Sequence, residues 1–221
     1  FMVKGLLGLY EAGYDPAHLE AAADLVRAAV DLFWDDADGG FFFGTESEEG
    51  MRRKDLYDGS VPSGNSVMFT DLLRLARLTG RADLEERASR LAAAFTAEVA
   101  AHPSMYTEFL CGLDYAIGPS REVVVVGRSE AEETRGLLAA LRATCARDAA
   151  GLFKPTDRPE TAAALERLAP FTRDMRPGDA VAAAYVCSAG ACLAPILSAA
   201  ALTETLRQAP GVTAERLRTP P

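Results

Sequence analysis

LLRLARLTGRADLEERASRLAAAFTAEV, residues 72 to 99, decides the fold. Leu72, Leu73 and Leu75 lead into Gly80, and from Asp83 onward Leu84, Ala88, Leu91, Ala92, Phe95 and Val99 recur at three and four residues. Apolar residues at that spacing line one face of a helix. A glycine between two such stretches stops the first helix and lets the chain turn back. The segment therefore reads as a helical hairpin.

The same arrangement occurs nearer the start. Leu6, Leu7 and Leu9 precede Gly13, and Leu19, Ala22, Ala23, Val26, Ala29, Val30 and Phe33 form a second apolar face over 15–34. Asp15 is placed to cap that helix, and Pro16 suits its first turn. A hairpin that cannot bury both faces alone stacks on its neighbours, so two in succession point to a repeated-hairpin array or a toroid. Phe1 opens the chain already inside the first helix, so further hairpins are expected ahead of it.

Beyond Pro119 the pattern changes. Glu122 to Gly127 reads EVVVVG, a β-branched run that predicts a buried strand. An amphipathic helix is expected from Ser129 to about Cys145, with Ser129 and Glu132 as a capping box. An apolar run near Leu152 and Phe153, a helix near Thr161 to Leu168, a strand over Val181 to Cys187 and a helix after Pro195 continue the alternation. Alternation of this kind predicts a small sheet with parallel strands. The fold class expected is mainly α: a partial (α/α) toroid of helical hairpins over 1–118, a small α/β region over 119–207, and a flexible tail over 208–221.

The 221 residues, 49% hydrophobic and 25% charged, suit an ordinary globular protein with a sizeable core. A formal charge of -9 disfavours phosphate backbones and anionic lipid, so neither nucleic acid nor a membrane is an expected partner. The uncharged stretch from Ala180 to Leu202 has the length of a membrane span, but Gly190 and Pro195 interrupt it and no basic cluster flanks it. It reads instead as a buried strand followed by a helix. No secretory signal opens the chain, and its four cysteines are too few to staple it, so reduced thiols in the cytoplasm are expected.

The most distinctive polar segment is DLYDGSVPSGNS, Asp55 to Ser66. It sets Tyr57, Asp58, Ser63, Asn65 and Ser66 in a loop ahead of a helix beginning near Val67. Such a loop can offer hydroxyl, amide and carboxylate groups to a sugar-like ligand, or it can simply cap the helix that follows. Upstream, DDADGGFFF, Asp35 to Phe43, lacks the aspartate and glutamate of a calcium loop and reads as a turn entering a short aromatic strand. Trp34 and Phe41 to Phe43 could line a pocket or pack between hairpins.

Other signals are weaker. VVVVGRSEAEE lacks the full glycine fingerprint of a nucleotide site, and its glutamates occupy the place of an anion. Cys187 and Cys192, separated by SAGA, could be a redox pair, half of a metal site or small buried residues; with no histidine nearby they do not make a zinc site. No metal or cofactor is expected. The two histidines, His18 and His102, offer no acid–base pair, and Glu108 is a carboxylate with no assigned role.

Together DGSVPSGNS followed by LLRLARLTG, LFWDDADGGFFF, EVVVVG and AYVCSAGACLAP resemble, in order and from about Gly5 to Leu202, the YyaL and spermatogenesis-associated-protein-20-like family of thioredoxin-domain-containing proteins. The resemblance implies a full protein with an N-terminal thioredoxin-like domain, a six-hairpin toroid similar to those of N-acylglucosamine 2-epimerase and the six-hairpin glycosidases, and a small α/β tail. This chain would hold the last hairpins and the tail. Its partners would then be the upstream hairpins and the thioredoxin-like domain of the same protein. The family's thioredoxin-like cysteine motif matches no position here. Asp71 departs from the asparagine expected after the PSGNS loop, and the small SAGA spacer is a second departure. The function expected is binding or processing of a carbohydrate-like small molecule at the toroid mouth by Tyr57, Asp58, Ser63, Asn65 and Ser66, with Trp34 and Phe41 as stacking surface. The alternative is a non-catalytic scaffold presenting a thioredoxin-like domain to protein partners.

Overall fold

A computed structural model of the chain describes residues 1–45, 52–118, 120–144, 149–188 and 190–208. Cys145 and the expected tail beyond Gln208 lie outside them. The chain divides into two compact units, residues 1–117 with 164–171, and residues 118–163 with 172–221. The architecture is mainly α with a small α/β segment. Among the described residues no helix is long and apolar enough to cross a membrane.

Among the described residues, five α-helices lie wholly within the first unit. They are α1 (Met2–Gly13), α2 (Pro16–Phe33), α3 (Gly64–Thr79), α4 (Ala82–Ala101) and α5 (Thr107–Ile117). The local signals act as read from the sequence at α2, where the Asp15 carboxylate accepts from the Ala17 N–H at 3.0 Å and Pro16 opens the helix. They act so again at α3, which ends on Gly80 in the left-handed region at φ 72°. The end of α1 differs. Gly13 stays helical and Tyr14 takes the left-handed conformation at φ 56°, held by its N–H donating to the Tyr10 carbonyl and by edge-on packing of the two tyrosine rings. A tyrosine there bears the steric cost of a positive φ that glycine would avoid.

Contacts along the helices fix their relative direction. Lys4, early in α1, reaches Glu108, early in α5; Glu11, late in α1, reaches Arg74, late in α3. Phe69 near the start of α3 stacks on Phe109 near the start of α5, while Arg77 near the end of α3 lies over the Tyr115 ring near the end of α5. Start meets start and end meets end, so α1, α3 and α5 run parallel, with α2 and α4 as the returning limbs. Helix α3 lies between its neighbours and is buried on most of its surface. Its approach to α5 is close at Gly112, where a Cβ would sit 2.5 Å from a Phe69 ring carbon. Any larger residue there must displace a fully buried ring.

The second unit holds the sheet. Strand β1 (Arg121–Gly127) is flanked by β2 (Ala149–Pro155) and β3 (Ala182–Ser188), with β4 (Ala191–Cys192) at the edge, in the order β2-β1-β3-β4. Val123 to Val126 are fully buried, as a central strand requires. The expected parallel strands are found in one pair only, and the rest of the expectation is corrected. β1 pairs parallel with β2, across the crossover helix α6 (Glu132–Thr144), but antiparallel with β3, and β3 pairs antiparallel with β4. The expected capping box is also absent: α6 begins at Glu132, and Ser129 instead donates its hydroxyl and its N–H to Asp157. Those bonds hold the Asp157 carboxyl below its ordinary range. After β2 the chain passes through α7 (Pro159–Leu168), and the last helix among the described residues, α8 (Ala199–Arg207), packs on α6.

Two buried cations organise this unit. Lys154 on β2 donates to the carbonyls of Thr172, Arg173 and Met175 at 2.8, 3.0 and 3.3 Å, which holds the segment that leads into β3. Arg121 at the start of β1 donates to the carbonyls of Thr205 and Leu206, both at 3.0 Å, and of Gln208. These are the orphan carbonyls at the end of α8, where a cation also meets the negative end of the helix dipole. Replacing Arg121 with methionine is expected to loosen α8 by about 2 kcal/mol, read as faster amide exchange over 199–207 with little change in β1.

Candidate functional site

The polar loop and its helix are built around one side chain. Asn65, in the first turn of α3, accepts from the Phe41 N–H at 2.7 Å and donates to the carbonyls of Phe41 and Asp55, both at 2.9 Å. Its amide completes for Phe41 the hydrogen bonding that a neighbouring strand would supply. The aromatic run is accordingly held as isolated bridges, Trp34 with Phe41 and Phe42 with Lys54, rather than as a full strand. Ahead of it the DGG turn closes on Asp35, whose carboxylate accepts from the N–H groups of Ala37 and Asp38 and pairs with Lys54 at 2.6 Å. These partners hold the Asp35 carboxyl below its usual range.

Ser63 caps α3 by accepting from the Ser66 N–H at 3.0 Å, and its hydroxyl donates to the Ser66 hydroxyl at 2.9 Å. Asp58 reaches further. One carboxylate oxygen accepts from the Ser63 N–H and the other from the N–H groups of Glu108 and Phe109 at 2.9 and 3.1 Å. Those are free donors at the start of α5, so Asp58 supplies the negative charge that a helix N-terminus favours. Asp58, Ser63, Asn65 and Ser66 are thus brought together as a brace joining the Phe41 turn, α3 and α5. Trp34 and Phe41 are buried edge to face, with ring centroids 5.1 Å apart, and Arg87 and Arg90 lie over the Trp34 ring. The Trp34 indole N–H finds no acceptor among the described residues. Tyr57 differs from the rest in being 54% exposed, at the point where Asp58 anchors the loop beside Glu108.

The residue that sequence reading left without a role is Asp71. It lies midway along α3, 1% exposed, and among the described residues neither carboxylate oxygen has a hydrogen-bond partner. Its nearest cation is Arg74, 3.9 Å away and already paired with Glu11 at 2.9 Å. Burial raises its carboxyl to about 6, against the opposing pull of Arg74, the chain's first amino group and Lys4 and with the support of Glu108. Above this carboxyl's side of the helix trio, Lys4 and Glu108 join α1 to α5 through a 2.6 Å ion pair. A carboxyl poised near neutrality beside an ion pair can hold or release a proton under small changes in its surroundings. The signal was present in the sequence, since Asp71 falls four residues from both Val67 and Leu75 on a buried face.

Cys187 and Cys192 form a disulfide across the β3–β4 turn, with Cα atoms 3.9 Å apart, so the expectation of reduced thiols is corrected for this pair. The structure places them directly opposite in the antiparallel register. Cys111 is free and exposed. Among the described residues no cluster of three or more His, Cys, Asp or Glu side chains is placed to hold a metal.

Five helices in parallel-and-return hairpins, joined to a four-stranded α/β unit, define the class of protein. No family model matches the chain. It is 33% identical over 210 residues to spermatogenesis-associated protein 20 of Homo sapiens, and 32% identical over 212 residues to the proteins of that name from Rattus norvegicus and Mus musculus. These matches take in 93% or 94% of this chain and 26% of each relative. The chain belongs to the spermatogenesis-associated-protein-20-like family, and it spans about a quarter of the length of the curated relatives it matches.

Proposed function

We propose that this chain forms consecutive hairpins of a larger (α/α) ring, with α1, α3 and α5 as its inner layer, and that this layer receives a carbohydrate-like small molecule beside Tyr57, Lys4 and Glu108. The observation that carries the reading is the parallel run of the three helices, each backed by a returning limb where one exists. Consecutive hairpins arranged in this way leave an open flank, and Met2 and Leu9 on α1 and Leu25 and Leu32 on α2 are exposed apolar residues of the first hairpin. Further hairpins of the same polypeptide would cover them, in keeping with relatives much longer than this chain. An exposed tyrosine whose neighbour Asp58 anchors the start of the helix carrying the Lys4–Glu108 pair suits a polyhydroxylated ligand, which stacks on aromatic rings and hydrogen-bonds to charged groups. In this reading the brace of Asp58, Ser63, Asn65 and Ser66 shapes the mouth, and Trp34 and Phe41 form its floor.

The test is a panel of neutral sugars and amino sugars added to the full-length protein, followed by melting temperature and by isomerase or epimerase turnover. A rise of several degrees at saturating ligand, abolished by Tyr57→Ala, is expected. Silence across the panel would remove the carbohydrate reading. A second reading, a non-catalytic scaffold for a thioredoxin-like domain, is favoured by the internal engagement of the loop's polar groups. Under it, a trapped upstream cysteine would capture client proteins and sugars would leave the melting temperature unchanged.

A further inference from the structure

The geometry points to the Cys187–Cys192 pair as a thiol–disulfide exchange site that accepts electrons from a dithiol, a role independent of any carbohydrate at the helical unit. The two sulfurs sit in unlike surroundings. Cys187 belongs to the buried run of β3 and is 5% exposed, whereas Cys192 lies on the edge strand β4 and is exposed, followed by Leu193 at 56%. Access therefore selects which sulfur is attacked.

The bond has little structural work to perform. It joins residues only five apart, and closing so short a loop restrains the unfolded chain least. The turn it spans is held without it: the Leu193 N–H donates to the Val186 carbonyl at 2.9 Å, and Ala184 and Ile196 exchange two backbone bonds at 2.8 and 2.9 Å. Gly190, at φ 80°, supplies the left-handed turn. The strand pairing would thus survive reduction and re-present the two thiols in register for reoxidation.

The exchange balances as follows. A thiolate of the incoming dithiol attacks Cys192 Sγ, the Cys187–Cys192 bond breaks, and its electron pair leaves on Cys187 Sγ, which takes up a proton. The second thiol of the reductant, deprotonated, then attacks the reductant's own sulfur in the mixed disulfide and releases Cys192 as a thiolate. Two electrons pass to the pair, and the dithiol becomes a disulfide. Leu193 and Leu197, both 56% exposed beside the edge strand, offer apolar surface to a peptide that carries such a dithiol.

Differential alkylation of the air-oxidised chain, read cysteine by cysteine by mass spectrometry, should leave Cys187 and Cys192 unlabelled until dithiothreitol is added; labelling of both beforehand overturns the proposal. Dithiothreitol in native buffer should reduce the pair within about tenfold of its rate in denaturant, with the melting transition shifted by only a few degrees. Resistance to reduction until the chain unfolds, or loss of the melting transition on reduction, marks a structural staple and overturns it. In single variants loaded as glutathione mixed disulfides, dithiothreitol should release glutathione from Cys192 of Cys187→Ser about tenfold faster than from Cys187 of Cys192→Ser; equal rates overturn the assignment of Cys192 as the attacked sulfur.

Discussion

Replacing Asp71 with asparagine is expected to stabilise the protein at pH 7.5 by about 3 kcal/mol. A carboxyl held at about 6 in the fold, against 3.8 in an exposed chain, binds its proton more tightly when folded. Between those two values the native state therefore carries more protons than the unfolded state, and stability falls as pH rises. The stabilisation by protonation is complete below pH 3.8 and lost once pH passes about 6. Above that the fold carries a buried negative charge whose oxygens have no donor among the described residues, the Arg74 guanidinium standing 3.9 Å away. Asparagine keeps the shape and removes the charge.

Other carboxyls act with the opposite sign. Asp35, Asp83 and Asp157 are held below their ordinary range by Lys54, by Arg81 and by Ser129, so they favour the fold as pH rises. The informative quantity is therefore the difference between Asp71→Asn and the unaltered chain, measured by denaturant unfolding from pH 4 to pH 8. It should start near zero, grow to about pH 6 and then stay level. A difference independent of pH would show that Asp71 is ionised throughout or meets solvent. A carboxyl kept at such a cost on the largely buried helix α3 is out of keeping with an ordinary core, and sites that move protons tolerate local instability of this kind.

The helices were legible because their signals are local. Asp15 and Pro16 open α2, Gly80 closes α3, and the apolar spacing over 84–99 forms the buried face of α4, each decided within a few residues of chain. What escaped depends on side-chain packing and on strand register rather than on local residue type. Tyr14 takes a glycine's conformation through packing on Tyr10. Ser129 is drawn away from its own helix by Asp157, which β2 and the turn after it bring within reach. β3 runs against β1 because the segment after α7 enters β3 at the end of the sheet where β2 finished, with Pro155 and Ala182 both beside Gly127, which alternation of strand and helix does not encode. The disulfide follows from register, since only pairing of β3 with β4 sets residues 187 and 192 face to face. In the polar loop both readings began from the same residue types, because the groups that bind a sugar are the groups that close a turn.

Replacing Asn65 with leucine separates those two readings, and the expected result is a loss of about 3 kcal/mol. The side-chain amide serves three backbone groups at once: the Phe41 N–H, the Phe41 carbonyl and the Asp55 carbonyl. Leucine has similar volume but can serve none, and each buried polar group left unpaired costs about 1 to 3 kcal/mol before local relaxation recovers part of it. Asn65→Asp is no rescue. It keeps the acceptor for the Phe41 N–H but sets a carboxylate against two carbonyl oxygens, so it should be at least as destabilising. Tyr57→Ala, at an exposed ring, should change stability by less than about 0.5 kcal/mol. Denaturant unfolding of the three variants gives the ranking, and amide exchange at Phe41 reports the clamp itself, because its N–H loses its acceptor in Asn65→Leu. Were Asn65 free to serve a ligand instead, its replacement would leave both stability and Phe41 exchange unchanged and weaken ligand binding alone.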